Sequence, residues 1–274
     1  MCRWISYSGN SIPLERLIVE PKNSLLDQSM SATMSIEPTN ADGIGIGWYG
    51  RNNRPGLYKS ILPAWSDDNL KELAYHVESP LFMAHIRRST GGSVQSTNCH
   101  PFRYSNWMFV HNGEIRDFQS IRRELMMTVA PEYFPYMTGS TDSELIFFLA
   151  LSFGLQHNPL QALSEAVTLI ERLGRANGIE FPFQGTLGIT DSKKLYALRY
   201  SSEGKAPSLF YSDSVEAMQQ LCPESVAEIE FGNNARAVVS EPLGRLPGVW
   251  LPVAESTVLI VENGIVELQP FLVG

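Results

Sequence analysis

The chain has 274 residues, and 21 basic against 29 acidic residues give a formal net charge of −8. With 43% hydrophobic and 18% charged residues, the composition is globular and excludes wholesale disorder. The acidic balance argues against a nucleic-acid or anionic-membrane binder, because both need a positive face. The sequence has no apolar run of the roughly 20 residues that cross a bilayer, and no secretory signal at Met1. We therefore expect a soluble, cytoplasmic protein.

Strands dominate the first part of the chain. Short apolar runs predict strands at residues 2–7, 44–49, 81–86 and 107–111, and a short helix is predicted at 67–77. The glycines within residues 44–49 are typical of a strand that backbone or ligand approaches closely.

Helices are predicted in the middle of the chain. They cover residues 118–127 and 141–155, followed by a helix with apolar residues at three- and four-residue spacing from Leu160 to Leu173. Thr141-Asp142-Ser143-Glu144 fits a capping box at the start of the second helix. Pro159 stands near the first turn of the third, where proline is tolerated.

The last part returns to strands. Residues 186–190 and 195–200 read as a hairpin, 235–240 as a strand, and 258–261 with 265–268 as a hairpin around Asn263-Gly264. The order of strands, helices and strands lacks the alternation of a parallel sheet. It predicts an α+β fold of largely antiparallel sheets with helices packed outside. No linker-like stretch divides the chain, so residues 1–274 are expected to form a single domain.

The cysteines are few and scattered, at positions 2, 99 and 222. An odd, sparse set is typical of a reducing compartment and argues against a disulfide scaffold. No Cys or His stands at metal-finger spacing. A zinc site assembled from His85, His100 and His111 remains an alternative.

Cys2 has an unusual position, because an initiator methionine is generally removed when the second residue is small. The mature chain would then begin with a free α-amino group on a cysteine. Thiolate is a minority species at neutral pH, and an α-amine with a pKa of about 7.7–8.0 is suited to take the thiol proton. The alternative is a buried cysteine in a first strand.

Three further segments carry candidate chemistry. Arg87 and Arg88 follow an apolar strand, where a guanidinium can clamp a carboxylate; the alternative is a surface arginine pair. Asn112-Gly113 offers a side-chain amide and a backbone N–H for an oxyanion, but Asn-Gly also favours hairpin turns. Asp142 can bind an ammonium group or serve only helix capping.

In order along the chain, these segments resemble the class II glutamine amidotransferases, which are N-terminal nucleophile hydrolases. The resemblance rests on the following residues: Cys2, His85-Ile86-Arg87 with Thr90, Asn98-Cys99-His100-Pro101-Phe102, His111-Asn112-Gly113 and Thr141-Asp142-Ser143-Glu144. Residues 40–49 and Ser240-Glu241-Pro242-Leu243 are similar to the stand-alone YafJ-type branch and to the γ-glutamyl hydrolase of ergothioneine synthesis.

The resemblance implies a four-layer αββα sandwich and a set of roles. Cys2 would be the nucleophile, and Asn112 with Gly113 the oxyanion hole. Arg87 would bind the α-carboxylate of the substrate and Asp142 its α-ammonium. Thr90 and the backbone near His111 would complete the pocket, and no cofactor or metal is implied.

The implied reaction cleaves the γ-glutamyl amide of glutamine or a γ-glutamyl compound through a thioester, releasing glutamate and ammonia or an amine. The family-like sequence fills the chain, so ammonia would pass to a separate synthase or simply be released. An arginine that some synthase-linked members carry has no counterpart around residues 40–43, which weakens the case for glutamine over a larger γ-glutamyl compound. The alternative functions are a non-catalytic glutamine-binding or regulatory subunit and a metal-dependent hydrolase.

Overall fold

Two antiparallel sheets form the centre of the protein. The computed structural model describes residues 2–34, 39–89, 93–221, 231–244 and 248–274. Within these ranges the strands are β1 (Arg3–Pro13), β2 (Ile44–Trp48), β3 (Gly56–Ser60), β4 (Glu78–Ile86), β5 (Phe102–Tyr104), β6 (Trp107–Ile115), β7 (Phe183–Thr190), β8 (Lys194–Ser201), β9 (Phe210–Ser212), β10 (Arg236–Val239), β11 (Trp250–Pro252), β12 (Thr257–Glu262) and β13 (Ile265–Pro270). The first sheet has the order β11-β9-β10-β1-β4-β2-β3, and the second has the order β13-β12-β8-β7-β6-β5.

Helices cover the outer faces of both sheets. In the same described ranges they are α1 (Glu15–Ile18), α2 (Leu25–Ser31), α3 (Asp68–His76), α4 (Phe118–Thr128), α5 (Asp142–Ser152), α6 (Pro159–Ala176) and α7 (Val215–Gln219). The longest of them, α6, has 18 residues, and no helix in the described part of the chain is long and apolar enough to cross a membrane.

Three apolar cores separate the layers. One lies between the first sheet and α1, α2, α3 and α7, and another between the second sheet and α4, α5 and α6. The third fills the space between the sheets and includes Trp4, Met83, Met108, Val110 and Leu259. Side chains alternate across each strand, so β1 and β6 contribute to the core on either side of them. The predicted αββα layering is confirmed.

The Asn-Gly hairpin predicted near the end of the chain is confirmed. Asn263 and Gly264 connect β12 to β13 with φ of 50° and 77°, as a type I′ turn requires. The predicted hairpin of β7 and β8 and the proline in the first turn of α6 are confirmed as well. The short elements α1, α2, β3, β5, β9, β11 and α7 are additions to the predicted set.

The glycines of β2 allow a close backbone approach, as predicted. A Cβ on Gly45 would lie 1.9 Å from the carbonyl oxygen of His100, and one on Gly47 would lie 2.4 Å from Sδ of Met108. The segment before β5 therefore crosses directly over β2.

Candidate active site

Cys2 lies where the start of β1 meets the end of β4. Arg3 pairs with Ile86, the last residue of β4. Cys2, one residue earlier, therefore lies beside Arg87 and Arg88, which follow β4. Its Sγ is 3.3 Å from the backbone nitrogen of Arg88, which donates to it, and 3.4 Å from the Arg88 carbonyl oxygen. The thiol is thus held by the backbone of one residue and remains partly exposed.

Burial raises the pKa of the Cys2 thiol, because it penalises the charged thiolate. The Arg88 N–H and the positive charges of Arg87 and Arg3 oppose this increase. Since the net direction is upward, the thiol needs a proton acceptor before it can act as a nucleophile at neutral pH.

Arg87 is buried, with 5% of its surface exposed, so the alternative of a surface arginine pair is wrong for this residue. Its Nη2 lies 3.4 Å from Oγ of Ser89, and its Nη1 is buried without a hydrogen-bond partner among the described residues. The Arg87 backbone bonds to Asp42 and Gly43, and the Asp42 carboxylate accepts from the Ser89 N–H at 2.8 Å. The guanidinium therefore lies on a fixed segment with unused donor capacity.

One backbone edge of β6 is open at Gly113. Arg116 N–H donates to the carbonyl of Pro182, which directly precedes β7. Ile115 N–H therefore points to the other edge, where it donates to Oδ2 of Asp142 at 2.9 Å. Gly113 N–H points the same way, because it lies two residues earlier in the strand. β5 pairs with β6 only up to Phe109, and no other strand of the described residues pairs with this edge at Gly113.

Asn112 faces the space between the sheets. It alternates with His111 and shares its side of β6 with Val110, which belongs to the inter-sheet core. It lies opposite Thr186, whose Oγ1 accepts a hydrogen bond from Trp4 Nε1. Cys2 directly precedes β1 and stands two residues before Trp4, so the alternation of the strand, continued by one residue, places it on the same side as Trp4. Asn112 and Gly113 thus lie within β6, and the alternative of a hairpin turn at these residues is wrong.

Asp142 begins α5 and faces the open edge of β6. Thr141 caps the helix by accepting from the Glu144 N–H at 3.1 Å. Glu144 bonds instead to the N–H groups of Thr138 and Gly139, so the predicted capping box is correct only for its Thr141 half. The Asp142 carboxylate accepts from Ile115 N–H and Ser143 N–H, and its remaining lone pairs are available to a cation.

Three buried histidines lie beside the site. His85 Nε2 donates to the His111 carbonyl at 3.1 Å, and the His85 and His100 rings have centroids 4.0 Å apart. His111 Nδ1 lies 2.9 Å from Oγ of Ser143. Burial lowers the pKa of all three, that of His85 to about 3. Among the described residues, no group of three or more His, Cys, Asp or Glu side chains is placed to hold a metal ion.

The structure links the predicted residues in a chain of contacts. Cys2 touches the end of β4, His85 of β4 bonds to the His111 carbonyl, and the same edge of β6 bonds to Asp142. Thr90 and Cys222 lie outside the described residues. Nothing in the sequence indicates that Asp42 anchors Ser89 in the segment after β4. Glu241 appears in the motif Ser240-Glu241-Pro242-Leu243, but the sequence assigns it no contact.

Comparisons with known proteins agree on one family. Residues 24–196 match the class II glutamine amidotransferases. The probable glutamine amidotransferase DUG3 of Saccharomyces cerevisiae is 30% identical over 99% of this chain and 85% of its own. The gamma-glutamyl-hercynylcysteine sulfoxide hydrolase of Mycobacterium tuberculosis is 27% identical over 42% of this chain and 50% of its own.

A solved structure extends the similarity to the fold. The glutamine aminotransferase class-II domain protein of Silicibacter pomeroyi has a TM-score of 0.75 and 34% identity, over 99% of this chain and 100% of its own. The two-sheet architecture is therefore shared along nearly the whole length of both chains.

Proposed function

The chain belongs to the class II glutamine amidotransferases, and from this premise we propose that it hydrolyses the γ-glutamyl amide bond of glutamine or a γ-glutamyl compound, with Cys2 as the nucleophile. One observation carries the proposal. The Cys2 sulfur is held by Arg88 N–H next to Arg87, whose buried Nη1 has no hydrogen-bond partner among the described residues. A nucleophile and an anion-binding group thus share one end of β4.

The substrate's amino-acid end is zwitterionic, and two side chains match its charges. Arg87 binds the α-carboxylate, which supplies the partner that its Nη1 lacks. Asp142 binds the α-ammonium with carboxylate lone pairs left over from its two backbone bonds. Thr90 and the backbone near His111 complete the pocket. The contacts with Arg87 and Asp142 hold the substrate so that its γ-carbonyl carbon faces the Cys2 sulfur at a fixed distance and orientation.

Removal of Met1 frees the α-amine of Cys2, which takes the thiol proton. The thiolate attacks the γ-carbonyl carbon, and the resulting oxyanion is stabilised by the Asn112 amide and the Gly113 N–H. Collapse of this intermediate breaks the C–N bond, and the proton returns to the leaving nitrogen. Water then attacks the γ-glutamyl thioester, releasing glutamate and restoring the thiol.

The leaving group is ammonia or a larger amine. The similarity to the mycobacterial gamma-glutamyl-hercynylcysteine sulfoxide hydrolase supports a γ-glutamyl compound as one substrate class. Ammonia transfer would require a separate synthase as partner. Measuring whether free ammonia equals glutamate with glutamine as substrate distinguishes release from transfer.

The proposal is tested with Cys2→Ala, and with Cys99→Ala as the matched control. Cys99 is also a free cysteine but is fully buried against the Ser60 and Gln95 carbonyls. We expect Cys2→Ala to bind glutamine but release no glutamate, and Cys99→Ala to remain active. Full activity of Cys2→Ala would refute the nucleophile. Glutamine binding without glutamate release by a wild-type chain that has lost Met1 would instead support the non-catalytic alternative.

A further inference from the structure

A nucleophile on the first residue of a mature chain lacks the covalent anchor that a preceding residue provides. Cys2 lies before β1, whose pairing with β4 begins at Arg3. Two contacts from described residues hold it: the Arg88 backbone at the sulfur and the Arg3 guanidinium, whose Nη1 donates to the Cys2 carbonyl at 2.9 Å. Arg3 therefore restrains the Cys2 backbone through its carbonyl group.

Arg3 is fixed by Glu241 on the helix-facing side of the first sheet. Its Nε lies 2.7 Å from Oε2 of Glu241, and the two side chains are 3% and 1% exposed. The register between β1 and β10 brings Arg3 and Glu241 together. Ile5 pairs with Val239, and Ser240 bonds to Trp4 through both its N–H and its Oγ. Continuing this register places Glu241 opposite Arg3.

Glu241 is itself held from a second direction. Oε1 accepts from the N–H and Oγ1 of Thr33, both at 2.9 Å, and from Asn23 at 3.3 Å; Oε2 accepts from Met34 N–H at 3.1 Å. Burial opposes ionisation, but the hydrogen bonds from Thr33 and Arg3 outweigh it, so the pKa of Glu241 is lowered. A charged, multiply bonded carboxylate is a rigid anchor.

We propose that Glu241 is a positioning residue for the nucleophile: it fixes the Arg3 guanidinium, which holds the Cys2 carbonyl and thereby aims the sulfur and the α-amine. The inference rests on the proposed role of Cys2. Under this proposal, Glu241 and the residues that hold it, Thr33 and Met34 after α2, contribute to catalysis without touching the substrate.

A buried ion pair can also be purely structural, since removing one partner leaves an uncompensated charge that destabilises the fold. Glu171 on α6 is the matched control. It is 4% exposed and accepts from Arg175 at 2.9 Å, from Tyr200 at 3.1 Å and from Ser202. These partners lie on α6 and at the end of β8, in the other half of the sandwich from β1. Glu171→Gln therefore measures how far melting temperature and kcat fall when a buried, multiply bonded carboxylate is neutralised away from Cys2.

The experiment compares Glu241→Gln, Glu171→Gln and Arg3→Lys for glutamate release, with melting temperature measured for each. We expect Glu241→Gln to lower kcat at least tenfold, with KM changed less than threefold, while Glu171→Gln keeps the wild-type kcat. Arg3→Lys retains the charge but loses the planar fork that places Nε on Glu241 and Nη1 on the Cys2 carbonyl, so it should show the same loss of kcat. It also keeps the test available should Glu241→Gln fail to fold.

The pH profile of Cys2 alkylation gives a second readout. The positive charges of Arg87, which directly follows β4, and of Arg3 on β1 lower the thiol pKa. Neutralising Glu241 leaves Arg3 uncompensated and should shift the profile to lower pH, whereas Arg3→Gln should shift it to higher pH. Wild-type kcat and profile in both Glu241→Gln and Arg3→Lys, or equal losses in the Glu171 control, would overturn the inference. An active Cys2→Ala variant would overturn the proposed function instead.

Discussion

The buried guanidinium nitrogen of Arg87 is the clearest mark of a ligand at the scale of single residues. Nη1 has no hydrogen-bond partner among the described residues, although the side chain is only 5% exposed. An unpaired buried donor costs about 1–3 kcal/mol, and more when it is charged. A carboxylate that binds there would remove this cost, which supports the proposed role of Arg87 in substrate binding.

Replacing Arg87 by Gln should therefore weaken substrate binding more than it slows the bound substrate. A hydrogen bond to a charged group contributes about 1.5–3 kcal/mol, so we expect kcat/KM for glutamate release to fall by roughly ten- to a hundredfold, mostly through KM. Steady-state kinetics on glutamine measures both constants.

Arg88→Gln is the matched control, because it removes the same charge one residue later and preserves the backbone that holds Cys2. Arg88 is half-buried rather than buried, and we expect its replacement to change kcat/KM by less than about threefold, because the carboxylate clamp is assigned to Arg87. A larger effect at Arg88 than at Arg87 would transfer the carboxylate clamp to Arg88.

At the scale of elements, the open edge of β6 depends on the absence of a side chain at Gly113. A Cβ there would lie 2.1 Å from the Gln184 carbonyl oxygen, 2.5 Å from Gly185 Cα and 2.6 Å from His111 Nε2. Two of these atoms are backbone of β7, the adjacent strand, and cannot move aside cheaply. A side chain would therefore displace the β6 backbone that presents the Gly113 N–H.

Gly113→Ala should consequently lower kcat, and about 10²-fold is the scale for loss of one oxyanion donor. Gly50→Ala serves as control, since no heavy atom lies within 4 Å of the added Cβ. Glutamate release and melting temperature are measured for both variants. Wild-type kcat in the Gly113→Ala variant would contradict an oxyanion role for this strand edge.

The two Asn-Gly pairs show how far local sequence predicts structure. Asn263-Gly264 adopts positive φ and turns the chain between β12 and β13, as its sequence predicts. Asn112-Gly113 has the same two residues but continues β6, because pairing with β7 on one side fixes it in extended form. Long strands and helices follow from periodicity, and the four-layer order is what the family resemblance implies. The choice between turn and strand at an Asn-Gly pair depends instead on its tertiary partners.

In the candidate site, too, some residues could be predicted from the sequence, whereas others depend on tertiary contacts. The resemblance to the family predicts site roles for Cys2, Arg87, Asn112, Gly113 and Asp142, because their residue types occur in the family's order along the chain, although each motif alone is weak. Glu241 acts through a partner 238 positions away, and nothing near it in the sequence indicates the contact. The half-formed capping box has the same cause, since the Glu144 carboxylate bonds to Thr138 and Gly139 before the helix.

At the scale of the whole molecule, three buried neutral histidines make stability depend on pH. Burial lowers the pKa of His85 to about 3 and lowers that of His100 and His111, whereas an unfolded histidine titrates near 6.5. Below about pH 6.5 the unfolded chain binds protons that the folded protein does not, so stability falls with falling pH until the folded pKa is reached.

We therefore expect the melting temperature to decrease from pH 7 to pH 5, a window above most carboxylate titration. His85→Asn should flatten this dependence, even if the variant is less stable at pH 7. His157→Asn is the control, because His157 is exposed, and it should keep the wild-type slope. Equal slopes in all three proteins would show that the buried histidines do not control the response.

The central claim, a sulfur and a proton acceptor on the same first residue, is tested most directly by intact mass. The active protein is weighed before and after incubation with a glutamine-like diazoketone, and the adduct is located by peptide mapping. We predict loss of Met1 and one adduct, on Cys2. Retention of Met1 in fully active protein, or labelling of Cys99 or Cys222 in place of Cys2, would contradict the account.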